Sequence, residues 1–411
     1  MKKNKDLYNT FLYFISEGIS KGGSYLLLLF VGIFLDNELY LKLFLLLSLE
    51  VVITMTYISY YSEIMLSYNI NEKDFKKDFF NASYFFSITQ LIIYILLYMV
   101  FFRDIFKAFY GYKNIWIVIV ILLNGFIINI IRLYAVYFQL IGNHNKAVIF
   151  RSLPFALASF ISILFFYFGN DKILSFFLGK FVGLFLFFII ICTYYKEKVS
   201  FIISKKKLLV LKNIIQKSKY SMLLTIFSWC SGMGFPTIIN NIAPQQALKI
   251  GYIVNIFSLL QFFSYGINQV YVANLKTSYE QSTDTAVKLT QKYHKIYIGI
   301  TIIMLLFCFI PFGEILQFGN INKWIIIFPY AIIIFFLNTF HWVSTPYYHI
   351  RGNFKQLFLI NVFANLLGWI FIVALYYIMN IRYFTIHYLI LWGFMTLIPY
   401  FKIRKSLCTK K

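Results

Sequence analysis

Ionisable side chains inside long apolar runs of the sequence are informative because a charge there is costly, and five of them are considered as candidate functional residues. Glu17 and Lys21 are four residues apart in the first run, a spacing that puts them on one helix face as a self-neutralising pair. Their place near the start of that run leaves a second interpretation open, in which both reach back to the aqueous boundary. Glu50 lies deep in the second run, Arg132 in the fourth, and Lys180 in the sixth, about 10 Å below its outer boundary by helix rise. Charges at such depth predict a pathway for ions or polar substrates.

Uncharged polar side chains extend these charged positions along the same helices. Tyr57 follows Glu50 by two helical turns, so the two residues share a face that favours a polar cavity over lipid. The later runs are polar but hardly charged, and a hydrogen bond between helices is the alternative role for each amide there. The amides that we consider as cavity-lining residues are Asn124, Asn129, Asn240, Asn255 and Asn268.

The composition indicates that lipid is the main solvent of the chain. Of its 411 residues, 60% are hydrophobic and only 13% are charged, and the mean hydropathy is +0.74. Soluble domains are about 25% charged. With 38 Lys and Arg against 15 Asp and Glu, the net charge is +23. In a membrane protein this excess belongs to loops that set orientation, so it does not predict nucleic-acid binding.

Twelve apolar runs are long enough to cross a bilayer, which needs about 20 helical residues. With alternating spans, most lysines and arginines fall on the side of both termini, which predicts cytoplasmic termini and a multi-pass protein of the bacterial inner membrane. We therefore predict an all-α membrane protein with a six-helix bundle at 1–195, a basic cytoplasmic connector at 196–219 and a second six-helix bundle at 220–411. The runs are 9–35, 41–66, 80–102, 115–140, 151–169, 173–195, 219–240, 250–273, 293–313, 322–342, 356–379 and 384–401.

The sequence offers little support for enzymatic chemistry. Its four cysteines are scattered, and no histidines have the spacing of metal ligands, so we expect no metal site and no disulfide framework. No nucleotide-binding glycine motif or hydrolase motif is found, and no long outer loop could house a catalytic site. The basic N-terminus lacks a small-residue cleavage site and therefore does not predict a signal peptide. We expect a protein that is not an enzyme and has no cofactor.

Two stretches resemble the Wzx-type polysaccharide flippases of the multidrug/oligosaccharidyl-lipid/polysaccharide (MOP) transporter superfamily. Residues 15–23, Ile-Ser-Glu-Gly-Ile-Ser-Lys-Gly-Gly, are similar to the start of that family's first helix. Residues 219–253 are similar to its seventh helix, short outer loop and eighth helix, where Gly251-Tyr252 matches a GxY-like element. The resemblance implies a MOP/MATE-like architecture of two six-helix bundles.

The same resemblance implies a substrate and a mechanism. An undecaprenyl-pyrophosphate-linked oligosaccharide, such as an O-antigen repeat unit, would pass from the inner to the outer leaflet by alternating access. Lys21, Arg132 and Lys180 would contact the anionic substrate in a central cavity. Glu17 or Glu50 would serve either in coupling to a proton or sodium gradient or as the partner of a lysine, and both interpretations stay open. Membrane lipids, a polysaccharide polymerase and a chain-length regulator would be the partners.

Two rival functions are compatible with a polytopic chain of this kind. A multidrug exporter of the same superfamily would prefer cationic drugs and hence an acidic cavity, whereas the first bundle here carries more cations than anions. A membrane polysaccharide polymerase or ligase would need the long outer loop that the chain lacks. The distribution of charge therefore favours the flippase.

Overall fold

The structure is a computed structural model, and its regular secondary structure is helical throughout the residues that it describes. These residues are 8, 11–12, 15–16, 18–19, 36–57, 73–104, 110, 114–141, 143–195, 205–308, 322–350, 354–380 and 382–408. Eight helices in this part of the chain are long and apolar enough to span a membrane, which agrees with a multi-pass membrane protein. The predicted all-α fold class is confirmed. The first predicted span, 9–35, lies largely outside the described residues, as do Glu17 and Lys21.

Twelve α-helices and one π-helical turn make up the described part of the chain. They are α1 (Asn37–Thr56), α2 (Lys73–Leu97) with the π-helical turn Tyr98–Phe102, α3 (Ile115–Leu140), α4 (His144–Phe168), α5 (Lys172–Tyr195), α6 (Lys205–Ser231), α7 (Phe235–Ile239), α8 (Pro244–Gln281), α9 (Thr283–Cys308), α10 (Asn322–Ile350), α11 (Phe354–Tyr377) and α12 (Phe384–Cys408).

The helices gather into two compact units. The N-terminal unit comprises Ile15–Ile226, and the C-terminal unit comprises Phe227–Lys411 together with Met1–Phe14. In the N-terminal unit α3 packs against α1, α2, α4 and α5, and α4 lies along α5. In the C-terminal unit α10 packs against α8, α9, α11 and α12. Each unit therefore has one helix, α3 or α10, in contact with most of its neighbours.

Local sequence signals explain where several helices begin and end. Asp36 caps α1 by accepting a hydrogen bond from the Leu39 N–H at 2.7 Å, and Asn143 caps α4 in the same way. The glycine- and proline-rich end of the predicted seventh span is a helix break, as its residues suggest: α6 stops at Ser231 and α7 begins at Phe235. A Cβ at Gly234 would lie 2.6 Å from the Trp229 ring, so the break needs glycine there.

Several helices are longer than the spans predicted for them, and α6 and α8 show this most clearly. α6 begins at Lys205, so the second half of the predicted connector is helical and runs without interruption into the predicted seventh span. α8 has 38 residues, which at 1.5 Å per residue is about 57 Å, roughly twice the hydrocarbon thickness of a bilayer. It ends at Gln281, and the extended backbone of Ser282 separates it from α9. Hydropathy marks only the apolar part of such helices.

Candidate functional site

A buried ion pair lies at the centre of the N-terminal unit. The Lys180 ammonium on α5 donates a hydrogen bond to Oε2 of Glu50 on α1. The Glu50 side chain is 3% exposed and the Lys180 side chain 17%. Oε1 of Glu50 is buried and has no hydrogen-bond partner among the described residues. The structure therefore brings together two of the predicted residues, and it places the charge of Lys180 against a protein carboxylate.

Small residues on either side of Lys180 hold α5 against α4. A Cβ at Gly179 would lie 2.7 Å from the carbonyl oxygen of Ile161, and one at Gly183 would lie 2.5 Å from the Cα atom of Ala158. This Gly-x-x-x-Gly step permits backbone contact between two membrane helices. The sequence analysis overlooked it, although two glycines four residues apart in an apolar run are the usual signal. The step fixes the helix that carries Lys180.

Helix α3 contacts both helices that carry the ion pair. At Gly125 a Cβ would meet the Ile53 side chain of α1 at 2.9 Å and the Tyr57 ring at 3.2 Å. The neighbouring Asn124 donates from Nδ2 to the carbonyl oxygen of Phe177 on α5 at 3.4 Å, while its Oδ1 is buried without a partner among the described residues. The predicted residues Tyr57 and Asn124 therefore lie at the meeting point of α1, α3 and α5, where each makes an interhelical contact.

A polar stripe on α2 completes the centre of this unit. Gln90 donates from Nε2 to the carbonyl oxygen of Thr56 at 2.6 Å, and the Tyr94 hydroxyl donates to the Thr56 hydroxyl at 2.9 Å. Ser87, three residues before Gln90, accepts from Nδ2 of Asn129 on α3 at 3.1 Å. The sequence analysis did not single out Gln90 or Tyr94. The signal was present, because Ser87, Gln90 and Tyr94 have the spacing of one helix face.

Arg132 differs from Lys180 and Glu50 because no described residue pairs with it. It is half-buried on α3, eight residues before the end of the helix, or about 12 Å by helix rise. Within the described part of the chain it forms no hydrogen bond or ion pair. Of the three cations predicted to contact an anion, Lys180 is paired and Lys21 lies outside the described residues. Arg132 has no hydrogen-bond or ion-pair partner among the residues that the structure describes.

The amides predicted in the C-terminal unit do not form one cluster. Asn255 and Asn268 are both on α8, thirteen residues or about 20 Å apart along the helix axis, and Asn240 follows α7. Asn255 is fully buried, whereas Asn240 and Asn268 are half-buried. The structure supports an interhelical role for Asn255 at least as well as a place in a cavity wall.

A different polar group occupies the interior of the C-terminal unit. The Ser231 hydroxyl donates a hydrogen bond to Oδ1 of Asn365 on α11 and accepts one from the Trp369 indole N–H at 3.1 Å. The Phe235 ring lies 5.4 Å from the Trp369 ring and 5.3 Å from that of Tyr388. These contacts join the α6–α7 break to α11 and α12. Sequence reasoning missed them because their residues are far apart in the chain.

Comparison with known proteins identifies the fold. No sequence family and no curated protein matches the chain. Solved structures do match. One is a MOP superfamily transporter from Pyrococcus furiosus, which is described as having a binding pocket of reverse polarity that suggests a different function. It matches with a TM-score of 0.71 at 13% identity, covering 98% of this chain and 96% of that one. An outward-facing multidrug resistance MATE transporter has a TM-score of 0.67 at 14% identity, covering 99% and 97%. The eukaryotic MATE transporter AtDTX14 has 0.69 at 12%, covering 99% and 98%. The chain therefore has the fold of the MOP superfamily transporters.

Proposed function

We propose that the protein is a flippase that moves an undecaprenyl-pyrophosphate-linked oligosaccharide from the cytoplasmic to the periplasmic leaflet by alternating access. The observation that carries this proposal is the charge balance of the N-terminal unit. Among carboxylates whose side chains the structure describes, Glu50 alone is buried, and Lys180 neutralises it. The half-buried Arg132 is not paired with any carboxylate that the structure describes. A unit with this balance suits an anionic substrate.

Arg132 has the chemistry that a pyrophosphate requires. A guanidinium presents its N–H donors in a rigid planar fork that matches two phosphate oxygens at once, whereas a lysine ammonium acts as a point charge without that fixed geometry. Its position about 12 Å inside α3 puts the charge where a lipid-linked headgroup entering from the bilayer surface would lose its water. The oligosaccharide itself presents hydroxyl donors. The buried oxygens Oδ1 of Asn124 and Oδ1 of Asn129 have acceptor capacity that no described residue uses.

Similarity of fold is compatible with a change of substrate. The transporter from Pyrococcus furiosus is described as having a binding pocket of reverse polarity that suggests a different function. In our proposal a cationic interior separates this protein from exporters of cationic drugs. In our proposal both termini are cytoplasmic, the membrane is the bacterial inner membrane, and a polysaccharide polymerase and chain-length regulator act on the product.

The Glu50–Lys180 pair offers a way to couple transport to an ion gradient. When Glu50 takes up a proton or binds a sodium ion, the ammonium of Lys180 loses its partner and becomes available to an anion. Return of the pair would release that anion. This role extends the proposal and is tested separately, by the dependence of transport on an imposed gradient.

The rival function is multidrug export, which the MATE transporters of the same fold perform by their description. A reconstituted assay separates the two. Proteoliposomes carry undecaprenyl pyrophosphate bearing one N-acetylglucosamine, and an impermeant galactosyltransferase with labelled sugar nucleotide reports how much of it reaches the outer surface. Parallel vesicles report uptake of the cationic dye ethidium under a proton or sodium gradient.

We expect the wild-type protein to expose the lipid-linked sugar fully, whereas protein-free vesicles expose about half of it. Arg132→Ala should slow exposure at least tenfold, Arg132→Lys should retain part of the rate, and Arg382→Ala, which removes an exposed arginine of the C-terminal unit, should change nothing. Ethidium transport without lipid exposure would establish the exporter instead. Equal rates for wild type and Arg132→Ala would refute the role of Arg132.

A further inference from the structure

Three exposed lysines form a basic face on the N-terminal part of α9. Lys288, Lys292 and Lys295 are spaced by four and three residues, so they project from one side of the helix. With Gln291 and Ile296 they line an open cleft of about 510 Å³. We call this surface the α9 cleft. Its size is that of a ligand headgroup, not of a single ion.

The positive charge of the α9 cleft is not compensated in the described part of the chain, where none of its three lysines forms an ion pair or a hydrogen bond. The nearest acidic residue on the same helix is Asp284, one turn before Lys288, and it too is exposed and unpaired there. His294 is on the other side of α9, with its ring 4.7 Å from that of Phe340. The cleft therefore presents three ammonium groups to the surroundings.

An exposed apolar strip continues the same face of α9. Ile296, Ile302, Ile303 and Leu306 follow the lysines at helical spacing and are all exposed. Between them, a Cβ at Gly299 would have no atom within 4 Å, so the glycine leaves a notch in this surface. From Lys288 to Leu306 the face is about 27 Å long by helix rise. A basic face that is merely solvated needs no apolar continuation with a notch.

We propose that the α9 cleft binds one anionic phospholipid. The phosphate lies against the three lysines, Gln291 supplies a neutral donor, and one acyl chain follows the apolar strip through the notch at Gly299. Basic pockets at the membrane boundary bind anionic headgroups in this way. The predicted orientation puts the lysines at the cytoplasmic leaflet. This site is independent of what the protein transports.

The test measures binding of a fluorescent phosphatidylglycerol to the purified full-length chain in neutral detergent, beside a phosphatidylcholine with identical acyl chains. Lys288, Lys292 and Lys295 are changed together to glutamine, which we expect to weaken phosphatidylglycerol binding at least tenfold, a conservative figure for three lysines, and to leave phosphatidylcholine binding unchanged. The matched control changes Lys205, Lys212 and Lys219 on α6, which are also exposed, to glutamine and should stay within about twofold of wild type.

A second pair of variants tests the acyl chain. Gly299→Leu fills the notch and should weaken phosphatidylglycerol binding several-fold. The control, Gly393→Leu, also places its side chain in open space and should leave binding as it was. Because neither added Cβ meets a neighbour, both variants are expected to fold.

Three outcomes would overturn the proposal. Unchanged phosphatidylglycerol binding in the α9 triple variant would show that the lipid does not bind at the α9 cleft. An equal loss of binding in the α6 triple variant would show that the effect depends only on the net charge of the protein. Full displacement of the lipid by millimolar inorganic phosphate, together with wild-type binding in Gly299→Leu, identifies a site for free anions. Loss of binding in the α9 triple variant and in Gly299→Leu, with both controls intact, supports a lipid site.

Discussion

Removing one member of the Glu50–Lys180 pair should destabilise the protein much more than removing both. Lys180→Met deletes the ammonium and keeps an apolar stem, and Glu50→Gln deletes the opposite charge at nearly constant volume. The double variant replaces the pair by neutral groups. Because Glu50 and Lys180 lie on different helices, α1 and α5, the comparison measures a tertiary contact.

The structure sets the expected size of each effect. Leaving one charge of a buried pair without its partner costs about 3–5 kcal/mol, whereas replacing both by neutral groups is close to neutral. The carboxylate that Lys180→Met leaves behind is 3% exposed, so this variant belongs at the upper end. Glu50→Gln leaves a flexible ammonium that is 17% exposed and can turn toward water, so its cost is smaller. The double variant should lie within about 1 kcal/mol of wild type.

The assay is thermal unfolding of the detergent-solubilised chain, followed by tryptophan fluorescence at one fixed heating rate because such unfolding is irreversible. At about 2–4 °C per kcal/mol for a unit of this size, a loss of about 5 kcal/mol means that Lys180→Met should melt about 10–20 °C lower than wild type. The control is Lys42→Met, which breaks an exposed ion pair with Glu38 on α1 and should shift melting by no more than about 2 °C. Additive effects of the two single changes, or wild-type melting of Lys180→Met, would refute the reasoning.

Three further variants test the helix packing and the hydrogen bonds inside the N-terminal and C-terminal units, with melting temperature as the measurement. Gly183→Ala should cost about 1–3 kcal/mol because its Cβ would overlap the backbone of α4, whereas Gly393→Ala in open space should be tolerated; equal melting of the two would contradict the helix contact. Gln90→Leu should cost about 1 kcal/mol by removing the donor to the Thr56 carbonyl, and no loss would mean that this bond is not formed in the membrane. Trp369→Phe should cost about 1 kcal/mol because a serine hydroxyl loses its indole donor, and an unchanged melting temperature would argue against that network.

Hydropathy predicts helix positions well where a span is apolar along its whole length. The predicted span 115–140 coincides with α3, and 173–195 with α5 apart from one residue. The method fails where a helix continues into polar sequence, because its window responds to apolar side chains and not to backbone hydrogen bonds. For that reason 250–273 underestimates α8, and 384–401 misses the last turns of α12.

The candidate site could be predicted as a set of residues but not as a set of contacts. A charged residue within an apolar run is recognisable from the sequence alone, so Glu50, Arg132 and Lys180 could be predicted as functional residues. Glu50 and Lys180 are 130 positions apart, however, and only helix packing brings them together. The neutral Gln90 carries no charge to mark it, and its only signal in the sequence is its spacing from Ser87 and Tyr94 on one helix face.

Four of the glycines described above divide into two classes with different prospects under mutation. At Gly179 and Gly183 a Cβ atom would overlap the main chain of α4, so we expect substitutions there to be selected against in evolution and in mutagenesis libraries. At Gly299 and Gly393 the space is open, and side chains of many sizes fit. Libraries intended to alter this protein should therefore keep the first pair constant and diversify the second, where a bulky reporter or cross-linker can be attached without rebuilding a helix contact.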